Sequence, residues 1–301
     1  MRVALLSGGT GGAKLARGLL DEVGAENLTV IANTGDDAEV YGVHVAPDPD
    51  LVTYWLADAI DERGYGIRGD TWEVMEALDA AGRPTWFRLG DRDLAMCLIR
   101  TEALAAGRRL TEAHSEVVRA MGVGAHVLPM ADEPVRTRVT ADGRELPFQE
   151  FMIVGGARGT LEAVDLDGIE AARPTPEVLA ALREADVIVI GPSNPVISIG
   201  PILAVPGMRA ALSEASAPVV AVSPFVGGEV LKGPTRAFCE HAGIEPSAAG
   251  IAAAYAGLID GLVADEHVSG IAALEIDTLM DSDAARRAVA ASTLEFATAL
   301  P

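Results

Sequence analysis

Residues 8 to 14 read GGTGGAK and follow the apolar run VALLS. A strand that turns through glycines into a helix gathers unpaired backbone N–H groups and the positive end of a helix dipole at one point, which suits phosphate. Gly8, Gly9, Thr10, Gly11, Gly12 and Lys14 are therefore candidate nucleotide-binding residues. The loop fits neither common pattern. The sixth position of its G-x-G-x-x-G is Lys14, and a Walker A loop would need a second glycine before the lysine and a hydroxyl after it. A tight packing turn is the plain alternative.

A second group stands in NTGDDAEVYGVHVAPDPD, where Asp36, Asp37, Glu39, Asp48 and Asp50 fall in one stretch. Hard carboxylate oxygens near a phosphate loop suit magnesium, which is typically held by one or two carboxylates plus phosphate oxygens. A solvated acidic face fits the same residues, and the sequence reads as a loop there. In RLGDRDLA, Asp91 or Asp93 is placed to cap the helix that follows, and Arg88 could face an anionic group. GPSNPVISIGP offers Ser193 and Asn194 between stiffening prolines at a strand end.

Short apolar runs position these groups. VALLS, LTVIANT, ADVIVIG, APVVAVSP and GLVAD are strand-length and alternate with helical segments such as AKLARGLLDEV. That pattern predicts an α/β fold with a doubly wound, mostly parallel Rossmann-like sheet, whose ligands lie beyond the carboxyl ends of the strands. Residues 93–105 and 111–121 read as helices, and an Asp142-Gly143 turn sits between alternating segments, a hairpin signal. The expected organisation is a nucleotide-binding core over 1–90 and 169–301, with a helical and β-hairpin insertion subdomain over 91–168. AARPTPEV is the most linker-like stretch.

The chain has 301 residues, with 23 basic and 44 acidic side chains and a net charge of −21. Such a surface repels nucleic acid and anionic membranes, so a small phosphorylated ligand needs a local concentration of donors. Lys14 and Lys232 are the only lysines. No apolar stretch has the roughly 20 residues that span a bilayer, and no secretory leader opens the sequence, so a cytoplasmic protein is expected. Cys97 and Cys239 lack zinc or CxxC spacing and read as reduced core thiols. The five histidines are scattered and no G-x-S-x-G elbow occurs, so nothing points to covalent catalysis.

Taken in order, SGGTGGAKL, NTGDD…PDPDLVTYWLADAID, LGDRDLAMCLIR and GPSNPVISIGPIL resemble the 2-phospho-L-lactate transferases (CofD/FbiA, phosphoenolpyruvate transferases) of coenzyme F-420 biosynthesis. VLPMADEPVRT, FQEF and VVAVSP extend the resemblance over nearly the whole chain. It implies transfer of a phospholactyl or phosphoenolpyruvyl group from a guanosine diphospho conjugate to the ribityl hydroxyl of 7,8-didemethyl-8-hydroxy-5-deazariboflavin, with release of GMP. It further implies magnesium held by Asp36, aided by Asp37 or Asp48; some members carry Glu where Asp36 stands. Asp50 and Arg88 would contact the deazaflavin, with Asp50 as the catalytic carboxylate. The loop Gly8 to Lys14 and Ser193, Asn194 and Pro195 would embrace the nucleotide, and the enzyme would be a homodimer. Two other classes stay open at this point. One is a nicotinamide-dependent oxidoreductase and the other a nucleotide-sugar-binding regulator resembling gluconeogenesis-factor proteins.

Overall fold

A computed structural model describes residues 1–230 and 233–300; Lys232 lies outside the described residues. The chain opens with β1 (Val3–Ser7), α1 (Gly9–Val23) and β2 (Leu28–Ala32). A small antiparallel hairpin, β3 (Ala38–Val40) and β4 (Val43–Val45), leads into α2 (Pro47–Leu56). Asp48 and Asp50 thus belong to the first turn of a helix and not to a loop. Pro47 at its first position explains the start, since the fixed φ and missing N–H of proline cost nothing there.

Next come α3 (Glu73–Ala80), α4 (Asp91–Ala105) and α5 (Leu110–Ala120). Two aspartates exchange caps between α3 and α4. Asp91 accepts from the backbone N–H of Glu73 and Val74, both at 3.0 Å. Asp70 accepts from Arg92 N–H at 2.9 Å and Asp93 N–H at 3.1 Å. Neither Asp91 nor Asp93 caps its own helix; Asp70, reaching across from the loop before α3, does.

Strand β5 (His126–Pro129) pairs in parallel with β2. Residues 126–129 therefore belong to the central sheet, which breaks the insertion expected over 91–168. What stands apart is the three-stranded antiparallel sheet of β6 (Arg136–Ala141), β7 (Arg144–Pro147) and β8 (Leu161–Asp167), with Asp142-Gly143 at the hairpin turn. A π-helical turn, Glu150–Val154, follows β7.

The second half winds through α6 (Pro176–Glu184), β9 (Val187–Ile190), α7 (Ile199–Ala204), α8 (Met208–Ser213) and β10 (Val219–Val222). The linker-like AARPTPEV instead starts α6, with Thr175 capping Val178 N–H. A short hairpin, β11 (Phe225–Val226) and β12 (Glu229–Val230), precedes α9 (Thr235–His241) and α10 (Ala248–Ala254). Strands β13 (Gly261–Ala264) and β14 (Ala272–Glu275) and helix α11 (Asp283–Ala299) complete the chain.

Among the described residues the central sheet has seven strands in the order β14-β13-β10-β9-β1-β2-β5, every pair parallel. Strand periodicity sends alternate residues of β1 to opposite faces. Ala4 and Leu6 pack with Ile188, Val178, Ile202 and Ile251, while Val3 and Leu5 pack with Leu15, Val52, Val118 and Leu294. Both faces are therefore covered, as a doubly wound sheet requires. The chain steps from β1 outward to β2 and later returns to β9 on the other side. A crevice opens at that reversal, beyond the carboxyl ends of β1 and β9. Cys97 and Cys239 are buried free thiols. Among the described residues no helix is long and apolar enough to cross a membrane.

Candidate active site

At the crevice, β1 passes into α1 through Gly8 and Gly9. A Cβ on Gly11 would overlap the carbonyl oxygen of Pro192, so only glycine lets the first turn of α1 lie against the loop after β9. Gly9 has φ +65°, the left-handed region that glycine enters without strain. The first turn carries no acidic side chain of its own, and it borders a cavity of about 380 Å³. Gly8, Gly9, Thr10, Gly11 and Lys14 line this cavity, as do Ser193 and Asn194 across from them. Gly12 sits behind the wall, where a Cβ would strike the hydroxyls of Ser7 and Ser193. Pro195 is buried and does not line the cavity.

Asn194 builds its own loop. Its Oδ1 accepts from the N–H of Val196 at 2.8 Å and Ile197 at 3.2 Å, and its Nδ2 donates to Thr235 Oγ1 at 3.3 Å. The loop is thereby tied to the start of α9. Gly8 N–H donates to Ser193 Oγ at 3.4 Å.

Two carboxylates complete the polar wall. Asp48 is buried; its Oδ1 accepts from Gly9 N–H at 2.7 Å and its Oδ2 from Asn33 Nδ2 at 2.9 Å. Asp36 lines the same cavity, and its buried Oδ1 has no hydrogen-bond partner among the described residues. Burial raises the Asp36 carboxyl well above the usual carboxylate range, and the neighbouring Asp48 adds to it. Burial likewise pushes Asp48 up to about 6, against the hydrogen bonds from Asn33 and Gly9. An unpartnered carboxylate oxygen beside a second carboxylate is the donor set that a hard divalent cation takes, so Asp36 and Asp48 fit magnesium.

Asp37 is placed elsewhere. It turns behind the wall, where its Oδ2 lies 2.8 Å from His44 Nε2, and His44 Nδ1 lies 3.1 Å from Glu39 Oε1. Burial raises its carboxyl and His44 lowers it.

Asp50 and Arg88 also lie outside the cavity. Residues 48 and 50 are about 200° apart around a helix, so Asp50 points away when Asp48 points in. Asp50, 4% exposed, forms a two-pronged pair with the fully buried Arg100, at 2.7 and 2.8 Å. Arg100 also donates to the His44 carbonyl oxygen at 2.9 Å. Arg88 is exposed, its guanidinium 5.3 Å from the centre of the Trp72 ring. Polar atoms of Asp50, Asp93 and Cys97 lie within 4.8 Å of one another. Arg100 already supplies the positive charge there and burial holds the Cys97 thiol up, so this cluster is an ion-pair network and not a cation site.

Several wall residues escaped the sequence reading. Phe148 and Met152, from the end of β7 and the π-helical turn, join Val226 and Val230 as an apolar side. Phe148 stands at the head of FQEF. Thr278 and Met280 arrive from the segment after β14, in a stretch without any motif. A second hollow of about 400 Å³ lies along β5 and α5, lined by none of the candidate site residues.

A dipole-positive helix end, an adjacent cation-type carboxylate pair and an apolar side together suit a phosphate-bearing ligand with an unsaturated or aromatic part. Fold and site define a doubly wound α/β protein with a phosphate-ligand site at its switch point. Residues 3–294 match the 2-phospho-L-lactate transferase CofD family, and the chain belongs to that family. It is 41% identical over 314 aligned positions to the phosphoenolpyruvate transferase of Kitasatospora aureofaciens, covering 99% of this chain and 98% of that protein. It is 38% identical to the 2-phospho-L-lactate transferase of Methanosarcina barkeri, covering 92% and 93%. A crystal structure of protein BH3568 from Bacillus halodurans superposes with a TM-score of 0.64 at 19% identity, over 97% of this chain and 99% of that one. That last likeness concerns the fold.

Proposed function

We propose that this protein transfers a phosphoenolpyruvyl or phospholactyl group from the matching guanosine diphospho conjugate to the ribityl hydroxyl of 7,8-didemethyl-8-hydroxy-5-deazariboflavin, releasing GMP, as a step in making coenzyme F-420. The observation that carries the reading is the meeting, in one cavity, of the α1 N-terminus, the Asp36–Asp48 pair and the Ser193–Asn194 loop. Family membership and the names of both kinds of relative supply the group transferred.

Transfer at phosphorus asks little covalent chemistry of a protein and much alignment and charge compensation. The first-turn N–H groups of α1 and the Lys14 side chain hold the diphosphate by its oxygens. The β9 loop, made rigid by Asn194, closes the nucleotide side, and Phe148 and Met152 keep water from the apolar side. Magnesium on Asp36 and Asp48 would offset the charge that builds on the phosphate oxygens. Asp50 acts at one remove. By anchoring to Arg100 it fixes the first turn of α2, and with it the aim of Asp48, which makes it a positioning residue in this proposal.

The test is a magnesium-dependent transfer assay in which the deazaflavin acceptor is offered the enolpyruvyl or the lactyl donor and the product mass is read directly. Product from either donor is the expected result. No product from both, with guanine nucleotide still bound by folded protein, would replace this proposal with a nucleotide-binding regulator.

A further inference from the structure

Thr278 is an anomaly that the proposed function leaves unused. It is 3% exposed, and its Oγ1 has no hydrogen-bond partner among the described residues, yet it lines the cavity. A buried hydroxyl left without a partner costs stability, and such groups persist where a ligand completes them. We infer that Thr278 is a donor-specificity residue whose hydroxyl hydrogen-bonds the nucleoside half of the bound guanosine diphospho compound. The inference rests on the proposed function and adds to it.

The end of the ligand follows from topology. Asp36 and Asp48 come from the segment after β2, while Thr278 comes from the segment after β14. In the sheet order β14-β13-β10-β9-β1-β2, these strands lie on opposite sides of β1 and β9, where the glycine loop and the Ser193–Asn194 loop emerge. The phosphate oxygens belong at the α1 N-terminus and the carboxylate pair. A ligand anchored there and extended along the carboxyl edge of the sheet brings its sugar and base towards Thr278. Met280, two residues on, gives the same wall an adaptable apolar surface for a flat base.

The experiment compares wild type, Thr278→Val and Thr278→Ser by calorimetric titration in magnesium buffer, with guanosine diphosphate and inorganic pyrophosphate as probes. Valine keeps the shape and removes the hydroxyl. It should weaken guanosine diphosphate roughly 3- to 10-fold, the worth of one neutral hydrogen bond, and leave pyrophosphate unchanged. Serine should restore most of the affinity. The melting temperature of ligand-free Thr278→Val should be equal to or above that of wild type, because an unsatisfied polar group has gone; a drop would mean that the hydroxyl serves the fold. Unchanged guanosine diphosphate binding in the valine variant, or an equal loss for both probes, would overturn the inference alone. Absence of guanosine diphosphate binding to wild type would overturn the proposed function together with it.

Discussion

The backbone N–H of Gly9, in the first turn of α1, donates to Asp48 Oδ1 at 2.7 Å. A helix end suited to phosphate is thus already satisfied, in part, by a carboxylate from another helix. Without a cation, Asp48 and an incoming phosphate compete for the same donor and repel each other. Asp48→Asn should therefore bind guanosine diphosphate in chelator at least about tenfold more tightly than wild type, while gaining much less when magnesium is added. Titrations with and without magnesium check this. An unchanged magnesium dependence in the variant would remove Asp48 from the cation site.

The Asp50–Arg100 pair is buried and doubly hydrogen-bonded. Removing one partner leaves the other charge in the interior, at a cost of about 3–5 kcal/mol, whereas removing both leaves no charge behind. Asp50→Leu and Arg100→Leu should each lower stability by roughly that amount, and the double variant should be more stable than either. Urea unfolding measures it. Loss of turnover in an Asp50 variant that unfolds at the wild-type denaturant concentration would instead make Asp50 a participant in the chemistry.

Asp93 predicts a pH effect. Burial, followed by the charge of Asp50, pushes its carboxyl up to about 7, against the hydrogen bond from Tyr54; Asp70 raises it further and Arg100 lowers it. In the unfolded chain an aspartate titrates near 4. Between about 4 and 7 the folded form keeps a proton that the unfolded form has released, so this group's contribution to stability falls as pH rises through that window. Asp93→Asn keeps an acceptor for Tyr54 without the charge. Its melting temperature relative to wild type should climb between pH 5 and pH 8. A constant difference would show that the carboxyl titrates normally.

Gly11 meets the Pro192 carbonyl oxygen so closely that alanine must displace the loop after β9. Gly11→Ala should cost about 1–3 kcal/mol, as other overpacked sites do, and should weaken guanosine diphosphate more than that loss alone explains, because the two walls of the cavity separate. Unfolding curves and nucleotide titration on the same preparation read both effects.

Strands β1, β2, β9, β10 and β13 were legible because each is a short apolar run closed by turn residues, a signal that lies within four or five residues, while their order in the sheet came only from the fold. Strand β5 was not: HVLP is too short and mixed to show a period, and only pairing with β2 makes it a strand. The exposed edge strand β14 fails for the same reason. In the site, the glycine loop and Ser193–Asn194 could be read from local backbone chemistry. Which aspartates face the cavity could not, since a helix that starts at Pro47 turns Asp48 inward and Asp50 towards Arg100, fifty residues away in sequence. Thr278 had no local signal at all. Its meaning comes from burial without a partner, which only the folded chain defines.

The exchange of caps between Asp70 and Asp91 has a consequence for how the molecule comes apart. Each helix start is held by a carboxylate at or just before the start of the other, so α3 cannot peel away without exposing the first amides of α4, and the reverse also holds. The two helix starts form a single opening unit. A protease cut in the exposed loop 81–84, between the two helices, would leave both fragments fastened together, and the amides of Glu73, Val74, Arg92 and Asp93 should exchange with solvent at one shared rate.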